Sequence, residues 1–333
     1  MENGALGLAA HPVDLSADID TVASAIDAAC RDTGFLVLAG HGVAQPVVDT
    51  WVDGCTAFFD RPMADKLTYV VEQPEANRGY TPPGKEALAY TLGAETPPDL
   101  FEAMTFGRED AVGPTFDANR HYFWPNEWPT EPPGLRDAFL AYEAELRRVS
   151  ALVLRAMARA LELDDEWLVE RCADSVITTR AINYERQAGS PDPEPGQMRL
   201  GAHTDYGVLT LLWADEVPGL QVRRGGEWHD VSVAPGTFLG NIGDMLAMWT
   251  NDRWSSTLHR VVPPPVGADG SARRRSCARF LDGDPAMLVE CIPSCCSADN
   301  PARYAPVVAG EWLHTKIVGG RTREVVDLPT SHG

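Results

Sequence analysis

The sequence predicts a mainly β core with flanking helices, a barrel or jelly roll entered from a helical N-terminal region. Three observations carry this. Nine short apolar runs with period-two alternation follow one another from residue 176, each bounded by Pro, Gly, Asn or Asp. One long helical stripe precedes them, with Leu135, Phe139, Tyr142, Leu146, Val149, Val153, Ala156 and Ala160 recurring at steps of three and four. No low-complexity linker divides the two regions, so a single unit is expected.

The elements follow in order. Residues 17–32 read as a helix stopped by Gly34, and 35–38 as a short buried strand turned by Gly40-His41-Gly42. Residues 46–70 read as helical with a break at Arg61-Pro62. The stretch 73–133 is rich in Pro and Gly and poorly periodic, which predicts a functional cover. Pro132-Pro133-Gly134 opens the long helix at 135–161, and Asp164-Asp165-Glu166 opens a short one. Strands are expected at 176–184, 198–203, 208–213, 220–222, 228–233, 237–242, 256–262, 276–281 and 287–292. A last helix is expected at 301–318. The organisation is thus a helical and cover region (1–175), the β core (176–300) and a C-terminal helix and tail (301–333).

Composition narrows the function. The chain has 333 residues, and its hydrophobic (44%) and charged (23%) fractions are those of an ordinary globular protein. No run of apolar residues is long enough to span a membrane. Residues 1–10 lack the basic start and long apolar stretch of a secretory signal, so a cytoplasmic location is expected. The net charge of -20 makes nucleic acid a poor partner. Only Lys66, Lys85 and Lys316 among the 28 basic residues are lysines, a composition that points to a GC-rich bacterial genome. The seven cysteines, with Cys291, Cys295 and Cys296 clustered, form neither a disulfide framework nor a CxxC pair.

The chemistry starts at His203-Thr204-Asp205, near a strand end. Residues two apart in a strand share a face, so His203 and Asp205 can reach one metal ion. His259, in the late strand 256–262, is the best third ligand. Two imidazoles and one carboxylate on one face of a metal leave three positions open, which suits non-haem Fe(II) and O2. Arg274 and Ser276 share a face by the same argument, and Arg275 points the other way. A guanidinium fork beside a hydroxyl, aimed into a barrel, makes a carboxylate site. His41, His121 and His229 have no carboxylate at such a spacing and read as structural or surface residues. Asn241 reads first as part of a turn at the barrel rim and second as a substrate contact. Arg260, beside His259, faces away from it and reads as structural.

These residues belong to longer strings: RGY at 78–80, AHTDYGVLTLL at 202–212, PGLQV at 218–222, NIGDML at 241–246, STLHRVV at 256–262 and RRS at 274–276, with TGF at 33–35 and GHG at 40–42. In this order they resemble the isopenicillin N synthase-like branch of the Fe(II)/2-oxoglutarate-dependent oxygenases, over nearly the whole chain. The resemblance implies a double-stranded β-helix. It implies that His203, Asp205 and His259 hold Fe(II), and that Arg274 and Ser276, assisted by Tyr184, bind the far carboxylate of 2-oxoglutarate. It also implies oxidation of a small-molecule substrate by O2, with release of succinate and CO2. Hydroxylation, desaturation and ring formation all remain open. Halogenation is not expected, because Asp205 stands where related halogenases have a small residue. This chain reads Tyr184-Glu185-Arg186 where the family often has Tyr-Pro-Pro, so the loop there is its own.

Substrate contacts are expected from the cover: Met104 and Phe106 first, then Arg78, with Tyr80 and Tyr90 as further candidates. The composition suggests bacterial secondary metabolism, antibiotic biosynthesis included. Two alternatives stand beside this reading. One is an oxidase of the isopenicillin N synthase type, in which Arg274 and Ser276 hold the substrate's own carboxylate. The other is a non-catalytic binding protein on the same fold.

Overall fold

Two facing β-sheets form the centre of the chain in the computed structural model, which describes residues 12–89, 96–185, 193–264 and 273–322. Tyr90 and Arg186 lie outside the described residues.

The N-terminal helices form where the sequence places its caps and stripes. Asp18 accepts from the Thr21 amide and opens α1 (Ile19–Asp32). Gly34 then takes φ +70°, and a Cβ there would stand 1.9 Å from the Ser255 carbonyl oxygen, so only glycine fits. β1 (Val13–Asp14) and β2 (Phe35–Ala39) pair in parallel. The expected helix at 46–70 divides into α2 (Gln45–Phe59), α3 (Met63–Lys66) and one 3-10 turn, broken at Pro62 as anticipated. α5 (Leu135–Ala160) is the predicted long helix, and α6 (Trp167–Arg171) follows the acidic cap.

The region 73–133 is more ordered than a cover. It contributes β3 (Gly79–Thr81) and β4 (Glu102–Gly107), which extend the main sheet, and a short α4 (Pro114–Ala118). The remaining strands are β5 (Ile177–Tyr184), β6 (Leu200–His203), β7 (Leu209–Ala214), β8 (Leu220–Arg224), β9 (Glu227–Asp230), β10 (Phe238–Ile242), β11 (His259–Val261) and β12 (Arg274–Leu281). The short helix α7 (Asp244–Trp249) follows β10, and β13 (Leu288–Val289) pairs with β14 (Val307–Val308). The last helix, α8 (Ala309–Thr322), begins eight residues later than predicted, because Pro301 and Pro306 keep 301–306 non-helical.

The main sheet runs β1-β2-β10-β7-β12-β5-β4-β3, and the smaller one runs β6-β11-β8-β9. The main sheet therefore takes four of its eight strands from before residue 175. Its outer face packs on α1, α2 and α5 around Trp51, Phe58, Phe139 and Tyr142. Its inner face meets the small sheet through Phe35, Val37, Ile182, Leu239, Val222 and Val261. Period-two alternation along β5 and β12 decides which residues enter the space between the sheets.

Candidate active site

β6 and β11 are antiparallel neighbours, with His259 directly opposite His203. This register sets the two imidazole rings 4.3 Å apart between centroids. Asp205 follows β6, and its Oδ1 lies 3.8 Å from His203 Nε2 and 3.7 Å from His259 Nε2. All three side chains are buried, and they form the one cluster of potential metal ligands among the described residues. The other ring nitrogens are anchored: Nδ1 of His203 donates to the Gly201 carbonyl (2.8 Å) and Nδ1 of His259 to the Thr257 carbonyl (3.1 Å). Each Nε2 is left with a lone pair for a metal. Burial, then the neighbouring His259, lowers the His203 pKa to about 4, which keeps this imidazole neutral.

The carboxylate is oriented in the same way. Asp205 Oδ2 accepts from Thr210 Oγ1 (2.6 Å) and from Asn241 Nδ2 (2.5 Å), which leaves Oδ1 facing the histidines. Asn241 is therefore neither a turn residue nor, in its amide donor, a substrate contact. It sits within β10, opposite Thr210 of β7, and holds a metal-ligating group. The period-two pattern of 237–242 carried that signal, since it put Asn241 inside a strand.

On β12, Arg274 and Ser276 face inward, opposite Tyr184 and Ile182 of β5. Arg275 faces outward, to Thr56 and Asp215, as its parity requires. Arg274 is 2% exposed, yet among the described residues its Nε and Nη1 have no hydrogen-bond partner. Its guanidinium lies 5.1 Å from the Tyr184 ring, and the Ser276 side chain is close to the Tyr184 hydroxyl. A buried guanidinium with vacant donors, a hydroxyl and a phenol together fit the far carboxylate of a dicarboxylic acid.

Relatives bear on the same point. A model of the 2OG-Fe(II) oxygenase superfamily matches residues 178–282, and a model described as the N-terminal part of a non-haem dioxygenase in morphine synthesis matches 9–131. Validamycin A dioxygenase of Streptomyces hygroscopicus subsp. limoneus is 34% identical over 301 residues, 89% of this chain and 80% of its own. The chain belongs to the Fe(II)- and 2-oxoglutarate-dependent oxygenases. A homoarginine-6-hydroxylase of Oryza sativa subsp. japonica is 33% identical over 90% of each chain. A solved Neurospora crassa protein in complex with alpha-KG shares the fold at TM-score 0.80 and 29% identity, over 92% of this chain and 94% of its own. A 2OG-Fe(II) oxygenase family protein of Caulobacter crescentus does so at TM-score 0.78 and 32% identity, over 90% and 94%.

The cofactors of this oxygenase are Fe(II) and 2-oxoglutarate, with O2 as co-substrate, and the donor set suits them. A cavity of about 100 Å³ opens beside the triad. His203, Asp205, Thr178, Arg180 and Phe280 line it from the sheets, Glu86 and Leu88 from the cover, and Leu313 and Ile317 from α8. Trp312 Nε1 donates to the Tyr206 carbonyl and Lys316 pairs with Asp244 at 3.3 Å, so α8 is tied to the turn that carries Asp205.

The expected cover residues separate by parity. Met104 and Phe106 do not reach the cavity. They share the outer face of β4 with Glu102 and lie in the main apolar core, where Phe106 stacks on Trp128 (4.5 Å) and meets Trp51 and Phe139. Tyr80 is likewise in that core and donates to Glu102. Arg78 is buried against Gly107, beside the cavity's edge. Sequence reasoning missed Glu86, Arg180 and Asp282. For Arg180 and Asp282 the strand parity of 176–184 and 276–281 was a usable signal. Glu86 lies in irregular chain and had none.

Arg260 donates to Gln221 and stacks over Trp228, a structural role as read. His41 is buried between the Gly236 carbonyl and the Val43 amide. All seven cysteines are free thiols. Among the described residues no helix is long and apolar enough to cross a membrane.

Proposed function

We propose that this oxygenase hydroxylates a C–H bond of a small polar metabolite, in bacterial secondary metabolism. The observation that carries the reading is one arrangement: a histidine–aspartate–histidine face and an unsatisfied Arg274 on the inner walls of the same barrel, beside a cavity lined in part by α8. His203, Asp205 and His259 would hold Fe(II). Bound there with 2-oxoglutarate and O2, the iron supplies the oxidising power for C–H cleavage. The protein's own residues do the rest. Thr210 and Asn241 keep the Asp205 carboxylate turned toward the metal position. Arg274 and Ser276 would take the far carboxylate of 2-oxoglutarate, with Tyr184 supporting Ser276. Phe280, Leu313 and Ile317 give the cavity an apolar side against which a substrate would displace water.

Two relatives support the finer part. One is named for a dioxygenase acting on validamycin A and one for hydroxylation of homoarginine, both polar nitrogen-bearing small molecules. The Streptomyces relative and the arginine-rich composition support a bacterial secondary pathway. Seven free thiols support a reducing, cytoplasmic setting. The test is a screen of polar metabolites with 18O2, Fe(II) and 2-oxoglutarate. Hydroxylation predicts a product 18 mass units heavier than its substrate, with one succinate per product. A product two units lighter than its substrate would replace this reading with desaturation or ring formation.

A further inference from the structure

Among the described residues the buried carboxylates are satisfied, with one exception. Glu143 is held by Arg279, Glu102 by Lys66, Glu86 by Arg180 and Asp244 by Lys316. Asp99 accepts from the Leu88 and Gly201 amides, and Asp205 from Thr210 and Asn241. Asp282 is 6% exposed, and among the described residues no donor reaches its carboxylate. Arg78 and Arg279 act on it only through space, and Asp205 opposes them. An unpaired buried carboxylate is costly, so its retention calls for a partner outside the chain.

Its placement says which partner. Asp282 follows β12, fixed by its amide on the Val176 carbonyl (3.1 Å), and its carboxylate lines the cavity beside the metal site. Gly207, two residues after Asp205, leaves the room: a Cβ there would come within 2.1 Å of Asp282 Oδ1. The other two charges in the cavity wall, Glu86 and Arg180, cancel at 2.8 Å. The charges of Fe(II), Asp205, dianionic 2-oxoglutarate and Arg274 also sum to zero. Asp282 is then the one carboxylate of the described lining left without a hydrogen-bonding or metal partner, and it stands beside the apolar Leu88, Phe280, Leu313 and Ile317. We propose that Asp282 recognises a cationic nitrogen of the substrate, an ammonium or a guanidinium carried on a short apolar stem. The proposal rests on the cavity being the substrate site, as read above.

The experiment is anaerobic calorimetric titration of the Fe(II)- and 2-oxoglutarate-loaded enzyme with four probes: n-pentylamine, N-butylguanidine, 1-pentanol and pentanoate. Wild type binds at least one of the two cations, and the better one identifies the head group. The alcohol binds at least about 10-fold more weakly and pentanoate not at all, since one charge-assisted hydrogen bond is worth about 10- to 100-fold. Asp282→Asn abolishes the preference for cations. Its melting temperature without probe equals or exceeds that of wild type, because the unpaired charge is gone, whereas a structural role would lower it. Cation binding that survives Asp282→Asn but fails in Leu313→Trp overturns the role of Asp282 and leaves the cavity standing. Binding that survives both variants overturns the cavity reading itself. No probe bound, or pentanoate bound best, overturns the proposal.

Discussion

Arg274 and Arg279 leave the same strand five residues apart, from opposite faces, and are both almost wholly buried (2% and 1% exposed). Arg279 is complete. It grips both oxygens of Glu143 on α5, at 2.8 to 3.1 Å, and donates to Ser150 at 2.9 Å. Arg274 has two donor nitrogens with no partner among the described residues. One arginine closes the protein's own charge ledger; the other waits for a ligand. A buried cation costs several kcal/mol unless paired, so the difference marks which face of the sheet is structure and which is site.

The comparison can be broken most forcefully at Arg279. Truncating it to Ala strands Glu143 in the core and should cost about 3–5 kcal/mol of stability. Chemical denaturation checks this, and a loss below about 1 kcal/mol would show the pair to be dispensable. Arg274→Met should leave stability within about 1 kcal/mol of wild type, because no internal partner is lost. Phe106→Ala, on the same outer side, should cost about 3–5 kcal/mol through its cavity while the KM of any substrate stays unchanged. A raised KM would return Phe106 to the binding site.

Smaller effects sharpen the contrast on the inner face. Asn241→Ala should weaken Fe(II) binding by about 10- to 100-fold, since it frees the Asp205 carboxylate to turn. Metal titration reads this, and unchanged affinity would make the 2.5 Å contact incidental. The smallest effect is a pH trend. Burial, then the charge of Asp205, raises the Asp282 carboxyl to about 7, so the metal-free folded state holds this proton more tightly than the unfolded chain does. Its contribution to stability is therefore present at low pH and lost as pH rises toward and through 7. The melting-temperature advantage of metal-free Asp282→Asn over wild type should widen from pH 5 to pH 8. A constant difference would mean that Asp282 does not titrate there.

What the sequence revealed follows the same division. The HxD spacing, the strand around His259 and the parity of Arg274 and Ser276 were legible because a strand's period of two fixes faces without any tertiary knowledge. The long helix was legible for the equivalent reason at period 3.6. β3 and β4 were not, since short strands inside a Pro- and Gly-rich stretch declare themselves only through their partners in the sheet. Met104 and Phe106 were misassigned by one residue of parity: Ala103 and Thr105 are the β4 residues that share the inner face with Ile182 and Arg180. For Asn241 and Asp282 the strand pattern gave the face but not the role, because their meaning lies in whether a donor or acceptor across the barrel is satisfied.

The central claim is that Arg274 is incomplete because 2-oxoglutarate completes it. The most direct measurement is anaerobic titration of the Fe(II)-loaded enzyme with 2-oxoglutarate, followed calorimetrically in wild type and Arg274→Met. The account predicts saturable binding in wild type and a loss of about 100-fold or more in the variant, which forfeits two charge-assisted hydrogen bonds. Equal affinity in the two proteins would contradict it.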